Sequence, residues 1–211
     1  PKFKIRATEH LYEVLNVYGL AWSPSVSTQT NTAIENGIAD IEVQFRYPVE
    51  FEVERLIRDQ KVKANASAEA GKHYKKICAI TKTAVKGCET RKEKVRAINK
   101  YMIRNYAYDY QYRQASYSFI GLLDNKKAVC QGFAQLFRLM GLEAGIETEC
   151  IGGMATSGPG KTDFETHMWN RSKIDGKWYY TDVTYNEGTG TNKFLLLSKK
   201  NFYGKGYHYL L

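Results

Sequence analysis

Three side chains of this 211-residue chain have the types needed to break and remake an acyl bond: Cys130, His167 and Asp182. A thiolate can attack a carbonyl, an imidazole can move the proton, and a carboxylate can orient the imidazole. Cys130 lies in Lys126-Lys127-Ala128-Val129-Cys130-Gln131-Gly132-Phe133-Ala134, ahead of an apolar stripe of Phe133, Leu136, Phe137 and Met140. That spacing predicts a helix over 130–140 with Cys130 in its first turn and Gly141 as its stop. Unpaired backbone N–H groups and the positive end of the helix dipole favour thiolate there. An N–H of the same turn can face a developing oxyanion. Taken alone, the segment fits a nucleophile or a buried structural thiol equally well.

The elements that must position the other two are strands. Ile174-Asp175-Gly176-Lys177 places Asp-Gly between two β-like runs, which signals a two-residue hairpin turn. With the turn centred on Asp175-Gly176, Trp169 faces the position of Asp182, and His167 lies two residues along on the same face. Such diagonal neighbours have Cα atoms about 7–8 Å apart, close enough for a His–Asp hydrogen bond. A one-residue slip would put them on opposite faces. The other histidines are weaker candidates: His10 and His73 fall in helix-like segments without a local carboxylate, and His208 falls in a Tyr- and Gly-rich tail. Asp109, after Tyr108, reads first as a turn or cap residue, with a role in the site as the alternative.

Taken in order, residues 1–20 read as an extended lead-in followed by a helix capped by Thr8. Residues 23–36, rich in Ser, Thr and Asn, read as a loop. Ile41, Val43 and Phe45 alternate in a strand over 38–47, which Pro48 stops. Residues 49–60 lean towards helix, and 65–86 are helical up to Gly87. Thr90-Arg91-Lys92-Glu93 is a capping box opening a further helix, which runs out near Asn105. A short helix at 118–123 and a turn at Asp124-Asn125 precede the Cys130 segment. Beyond it the chain reads as β over 144–154, 165–174, 177–185 and 193–197, with a flexible loop at Ser157-Gly158-Pro159-Gly160.

Hydrophobic residues at 43% and charged residues at 25% are ordinary for a globular protein. No apolar run approaches the roughly 20 residues of a membrane span. No signal peptide is visible, and a chain starting at Pro1 is expected to be a processed or trimmed one. The net charge of +9 reads first as solvated helix faces, with an anionic cell wall as a sharper partner. Nucleic acid is not indicated, because no nucleic-acid fold signature accompanies the charge. Cys78, Cys88, Cys130 and Cys150 form no CxxC pair, so no metal and no cofactor are expected. A Cys78–Cys88 bridge and a reduced, buried Cys78 both remain open.

Three segments together resemble the transglutaminase-like superfamily, especially its bacterial members. They are Cys130-Gln131-Gly132-Phe133-Ala134, His167-Met168-Trp169-Asn170, and Trp178-Tyr179-Tyr180-Thr181-Asp182-Val183-Thr184. The spacings, 37 residues from Cys130 to His167 and 15 on to Asp182, are similar to the family's. The resemblance spans about 90–198. It implies an α+β, papain-like core, with a helix bearing the thiol packed on an antiparallel sheet bearing His and Asp. Residues 65–211 would form that core, and residues 1–64 an N-terminal extension of helix, loop and strand packed on it. It also implies Cys130 as nucleophile, His167 as acid and base, and Asp182 as orienter. Gln131, Tyr117 and Trp169 are the candidates for oxyanion or substrate-cleft contacts, although no motif places the aromatic partner. Lys126 stands where many bacterial relatives have Gly, and Met168 where a small residue is common. No calcium loop is visible.

The implied activity is a thioester acyl-enzyme formed from a protein or cell-wall peptide amide and resolved by water or by an amine, with water favoured. The expected location is extracellular or on a bacterial cell surface. A noncatalytic binding or scaffold module of the same fold is the competing reading.

Overall fold

The computed structural model of the protein describes residues 2–6, 25–30, 38–46, 48–59 and 66–210. These divide into two units, 1–53 and 54–211. The first holds an antiparallel sheet in the order β1-β3-β2, built from β1 (Lys2–Arg6), β2 (Ser25–Thr30) and β3 (Ile38–Arg46). Strand β3 is the one expected from alternation. Strand β2 replaces part of the expected Ser/Thr-rich loop, because its ladder partner is distant in sequence: Val26 pairs with Phe45 and Thr28 with Val43. The helix expected after Thr8 lies outside the described residues. Helix α1 (Val49–Arg58) follows β3 and runs across the division.

In the second unit, α2 (Ala68–Ala84) and α3 (Arg91–Asn105) form where their apolar spacing predicts. The capping box at Thr90 and Glu93 is complete in both directions. After β4 (Ala107–Tyr108) and a 3₁₀ turn at Gln114–Tyr117 comes α4 (Phe119–Asn125), capped by Ser118. It ends on Lys126 at φ 61°, a left-handed conformation that favours glycine. Lys126 accepts this conformation with some strain. Short β5 (Lys127–Ala128) leads into α5 (Cys130–Glu143).

Helix α5 passes through Gly141 instead of stopping there. Gly141 is in contact with Thr148, whose Cβ lies only 3.0 Å from where a Cβ on Gly141 would stand. Close packing, not chain termination, accounts for this glycine. The left-handed residue comes later, at Gly145.

Four antiparallel strands, in the order β8-β7-β6-β9, form the sheet: β6 (Thr148–Ala155), β7 (Glu165–Ile174), β8 (Lys177–Thr181) and β9 (His208–Leu210). The hairpin turns at Asp175-Gly176, both with positive φ, and pairs Ile174 with Lys177 and Asn170 with Thr181. That is the register read from the turn. Two helices interrupt the run expected to be all β: α6 (Val183–Thr189) and α7 (Lys199–Tyr203). The strand expected to reach 185 stops at Thr181, because the Asp182 side chain accepts from the Tyr185 N–H and caps α6. The strand expected at 193–197 is reduced to a single bridge between Tyr180 and Leu197.

Helix α5 packs on β6 and β7, giving the expected α+β core. Side chains alternate along β7. Asn170 reaches α5, donating from Nδ2 to the Ala134 carbonyl at 2.9 Å. Trp169 instead joins Tyr180, Phe194 and Phe202 in a buried aromatic cluster. All four cysteines are free. Among the described residues no helix is long and apolar enough to cross a membrane.

Candidate active site

Cys130 is the first residue of α5, after Val129, which offers no side-chain cap. The first amides of the helix, from Cys130 to Gly132, therefore lack intrahelical partners and surround the thiol with donors. The segment is anchored on both sides. Val129 N–H donates to the Ser116 carbonyl at 3.0 Å, and Phe119 N–H donates to Gln135 Oε1 at 3.0 Å. The helix start is thus bonded to the 3₁₀ turn and α4 beneath it. Asp109 serves this turn too, accepting from Ser116 Oγ and from the Gln111 N–H.

His167 comes from β7 and Asp182 from the residue after β8. His167 Nε2 lies 2.8 Å from Asp182 Oδ2. With Nε2 engaged by Asp182, Nδ1 is the ring nitrogen left free, and Cys130 is among the groups that favour the charged ring. Burial works against the His167 imidazolium, but Asp182 and Cys130 outweigh it, and the pKa rises from 6.5 to about 10. Burial likewise works against the Asp182 carboxylate, but His167 and His208 hold it well below the usual carboxylate range. The Tyr185 ring tilts over His167 at 4.8 Å between centroids.

Asp182 is held from several directions. Its Oδ1 accepts from the Tyr185 N–H at 3.0 Å. Asn186, one turn into α6, donates to Asn99 on α3 and accepts from the Phe194 N–H. Both asparagines are fully buried, so the helix that Asp182 caps is fixed to the rest of the unit.

The remaining candidates are dispersed. Gln131 is half-buried beside Cys130. Tyr117 is 41% exposed, and Trp169 is completely buried in the aromatic cluster. A cleft of about 450 Å³ opens beside His167, lined among others by Tyr108, Tyr112, Tyr185, Asp163, Glu165 and Glu187. Gln131, Tyr117 and Trp169 are not among the residues lining it. The one lysine in its wall, Lys193, is bonded to the Tyr207 hydroxyl at 2.8 Å. The cleft is therefore acidic and aromatic in a chain whose net charge is +9. Cys150, by contrast, is a structural thiol: its Sγ faces the Ala134 carbonyl, and burial pushes its pKa up to about 12.

Sequence reasoning passed over His208. Its Nε2 lies 2.7 Å from Asp182 Oδ2, the same oxygen that His167 engages. The signal available was a short alternating run, Tyr207-His208-Tyr209-Leu210, just past Gly204 and Gly206. Its pairing with β6 is visible only in three dimensions. His167, Asp182 and His208 offer three atoms within 4.8 Å of one another, the one group among the described residues that could hold a metal ion. Two nitrogens at 2.7 and 2.8 Å from one oxygen are at the separation of N–H donors sharing an acceptor.

Residues 79–183 match the transglutaminase-like superfamily. Kyphoscoliosis peptidase of Mus musculus and that of Homo sapiens are each 27% identical to this chain over 123 residues. The match covers 53% of this chain but only 19% of either relative. The crystal structure of a TGase overlays on 87% of this chain and 50% of its own, with a TM-score of 0.49 and 13% identity. Residues 79–183, which carry the Cys130 helix, the His167 strand and Asp182, are thus a domain of the transglutaminase-like superfamily.

Proposed function

We propose that Cys130, His167 and Asp182 form the catalytic set of a thiol hydrolase acting on protein or cell-wall peptide amides. The observation that carries this reading is the His167 ring, bonded to the buried Asp182 at 2.8 Å, with Cys130 on the first turn of α5 among the groups that raise its pKa. His167 holds the proton of the Cys130 thiol as an imidazolium, and the thiolate adds to the amide carbonyl. The oxyanion forms beside the unpaired amides at the start of α5. His167 returns the proton to the departing amine, the C–N bond breaks, and a thioester remains. Water, deprotonated by His167, then attacks the thioester and restores the thiol. Asp182 keeps the imidazole oriented and stabilises its charged form.

Hydrolysis is preferred over transfer because the curated relatives are named as peptidases. The acidic, aromatic cleft beside His167 suits a peptide segment with cationic or apolar side chains.

The test is a mass measurement on a glutamine-containing protein incubated with the enzyme and a labelled primary amine. Chain cleavage, or a gain of about 1 Da by deamidation, is the expected product. Amine incorporation would reassign the reaction to transfer. Cys130→Ala and His167→Ala should each cost several orders of magnitude, and the double variant little more, because the residues act as a unit. If no product forms across a broad panel and Cys130 is inert to iodoacetamide, the enzyme reading fails and a noncatalytic scaffold stands.

A further inference from the structure

Asp182 accepts from two imidazoles, and the proposed reaction uses one of them. His208 arrives on β9, which pairs with β6 on the side away from β7. On β6, Gly153 faces His167 and Ala155 faces His208. Positions 153 and 155 lie on one face of the sheet, so both imidazoles do as well. They converge on one carboxylate from opposite neighbouring strands.

Packing alone does not call for a histidine here. The His208 ring tilts over Phe202 at 4.2 Å between centroids and meets Trp169, Tyr185 and Phe194 at 5.1–5.3 Å. A phenylalanine would fill the same aromatic space. What histidine adds is Nε2, directed at Asp182 Oδ2. Its Nδ1 is buried and has no partner among the described residues. Orphaned N–H groups are rarer in proteins than under-satisfied acceptors. The bare nitrogen is therefore Nδ1, and Nε2 carries the hydrogen that points at the carboxylate.

Resting on the thiol-enzyme reading above, we propose that His208 is a positioning residue of this site. Its neutral Nε2–H holds the Asp182 carboxylate with Oδ2 turned to His167 and shares that oxygen's charge. Two donors on one oxygen each receive less of it. The His208 bond strengthens most when His167 is neutral and weakens when His167 is an imidazolium. His208 thereby makes His167 a readier acid towards the departing amine than a lone imidazole–carboxylate pair would be. Among the described residues, the other titratable groups near the two rings are Cys130 from α5, Tyr185 from α6, Glu165 and Asp163 along the cleft, and, lining a second hollow with His208, Lys199, Lys200 and Tyr203 from α7 and Tyr209 from β9.

The test uses the whole chain, ¹⁵N-labelled at histidine, as wild type, His208→Phe and His208→Gln. Phenylalanine keeps the ring volume without the donor, and glutamine keeps an N–H near the Nε2 position. In the wild type, His208 should appear as the Nε2–H tautomer. In His208→Phe, the midpoint of the His167 titration should rise by about one pH unit, the size expected for one lost hydrogen bond. His208→Gln should return it to within a few tenths. Turnover should fall about tenfold in His208→Phe with KM unchanged, and recover in His208→Gln.

An unprotonated Nε2 on His208, as metal coordination would leave it, overturns the proposal. So does an unchanged His167 midpoint in a folded His208→Phe. If that variant fails to fold, the wild-type tautomer and the glutamine variant still decide. The spectra read the Asp182 network without substrate, so an inert Cys130 would count against the enzyme reading alone.

Discussion

Gly132 allows the reasoning about the Cys130 helix to be checked against an internal control. Gly→Ala inside a helix normally stabilises by up to about 1 kcal/mol. At Gly71, in α2, a Cβ would meet nothing within 4 Å. Gly71→Ala should therefore gain most of that amount, raising Tm by about 2–4 °C for a unit of this size. At Gly132 an ideal Cβ would lie 2.6 Å from Ala128 Cβ, 2.7 Å from the Ser118 carbonyl oxygen and 2.9 Å from the Ser116 carbonyl oxygen. Ordinary contacts are about 3.5–4.0 Å, so the shortfall is roughly 1 Å. Neither carbonyl can move freely, since Ser116 O accepts from Val129 and Ser118 O from Gly121. Overpacking of this kind costs about 1–3 kcal/mol, which outweighs the helical gain.

The displaced element is the first turn of α5, two residues from the thiol. A shift of about 1 Å at reacting groups lowers rates on the order of 10²-fold. Thermal unfolding by circular dichroism and the iodoacetamide labelling rate of Cys130 measure the two effects. Gly132→Ala should lose a few degrees in Tm and most of its Cys130 reactivity, while Gly71→Ala gains stability and keeps it. If Gly132→Ala is stabilised like Gly71→Ala and labels at the wild-type rate, the account of how this helix start is held is refuted.

The His167–Asp182 pair should give stability a definite pH dependence. The pKa of His167 is raised from 6.5 to about 10, so its contribution is complete below 6.5 and is lost as pH rises towards 10. Asp182 is depressed below its ordinary 3.8, so its contribution is present above that value and lost in acid. Urea titrations should place the wild-type maximum between about pH 4 and 6.5, and Asp182→Asn should flatten both flanks; an unchanged profile would contradict the ion pair. Glu54 and Arg138 form a two-pronged, largely buried pair, with Arg138 Nη2 2.7 Å from Glu54 Oε1. Glu54→Ala leaves a buried guanidinium unpaired and should cost about 3 kcal/mol, whereas Arg138→Met with Glu54→Leu should recover most of that loss in the same unfolding assay.

Much of the site was legible in the sequence because it is written in local patterns. The apolar stripe behind Cys130 predicts a helix that opens on the thiol, and Asp175-Gly176 alone sets the hairpin register that brings His167 towards Asp182. Both follow from backbone periodicity and turn chemistry, which act within about ten residues. Other features were decided only by tertiary structure. Ser25–Thr30 is a strand because β3 pairs with it, not because of its own weak pattern. Gly141 sits mid-helix because Thr148 presses on it. Residues 183–189 turn helical because the Asp182 side chain caps them, a use of that carboxylate that motif reading does not disclose. Above all, His208 reaches Asp182 by adding β9 to the far side of β6, 26 residues along the chain. Strand order is a non-local property: the ladder bonds and aromatic burial that reward it appear only once β6 and β9 have met, and no local window of residues contains both partners.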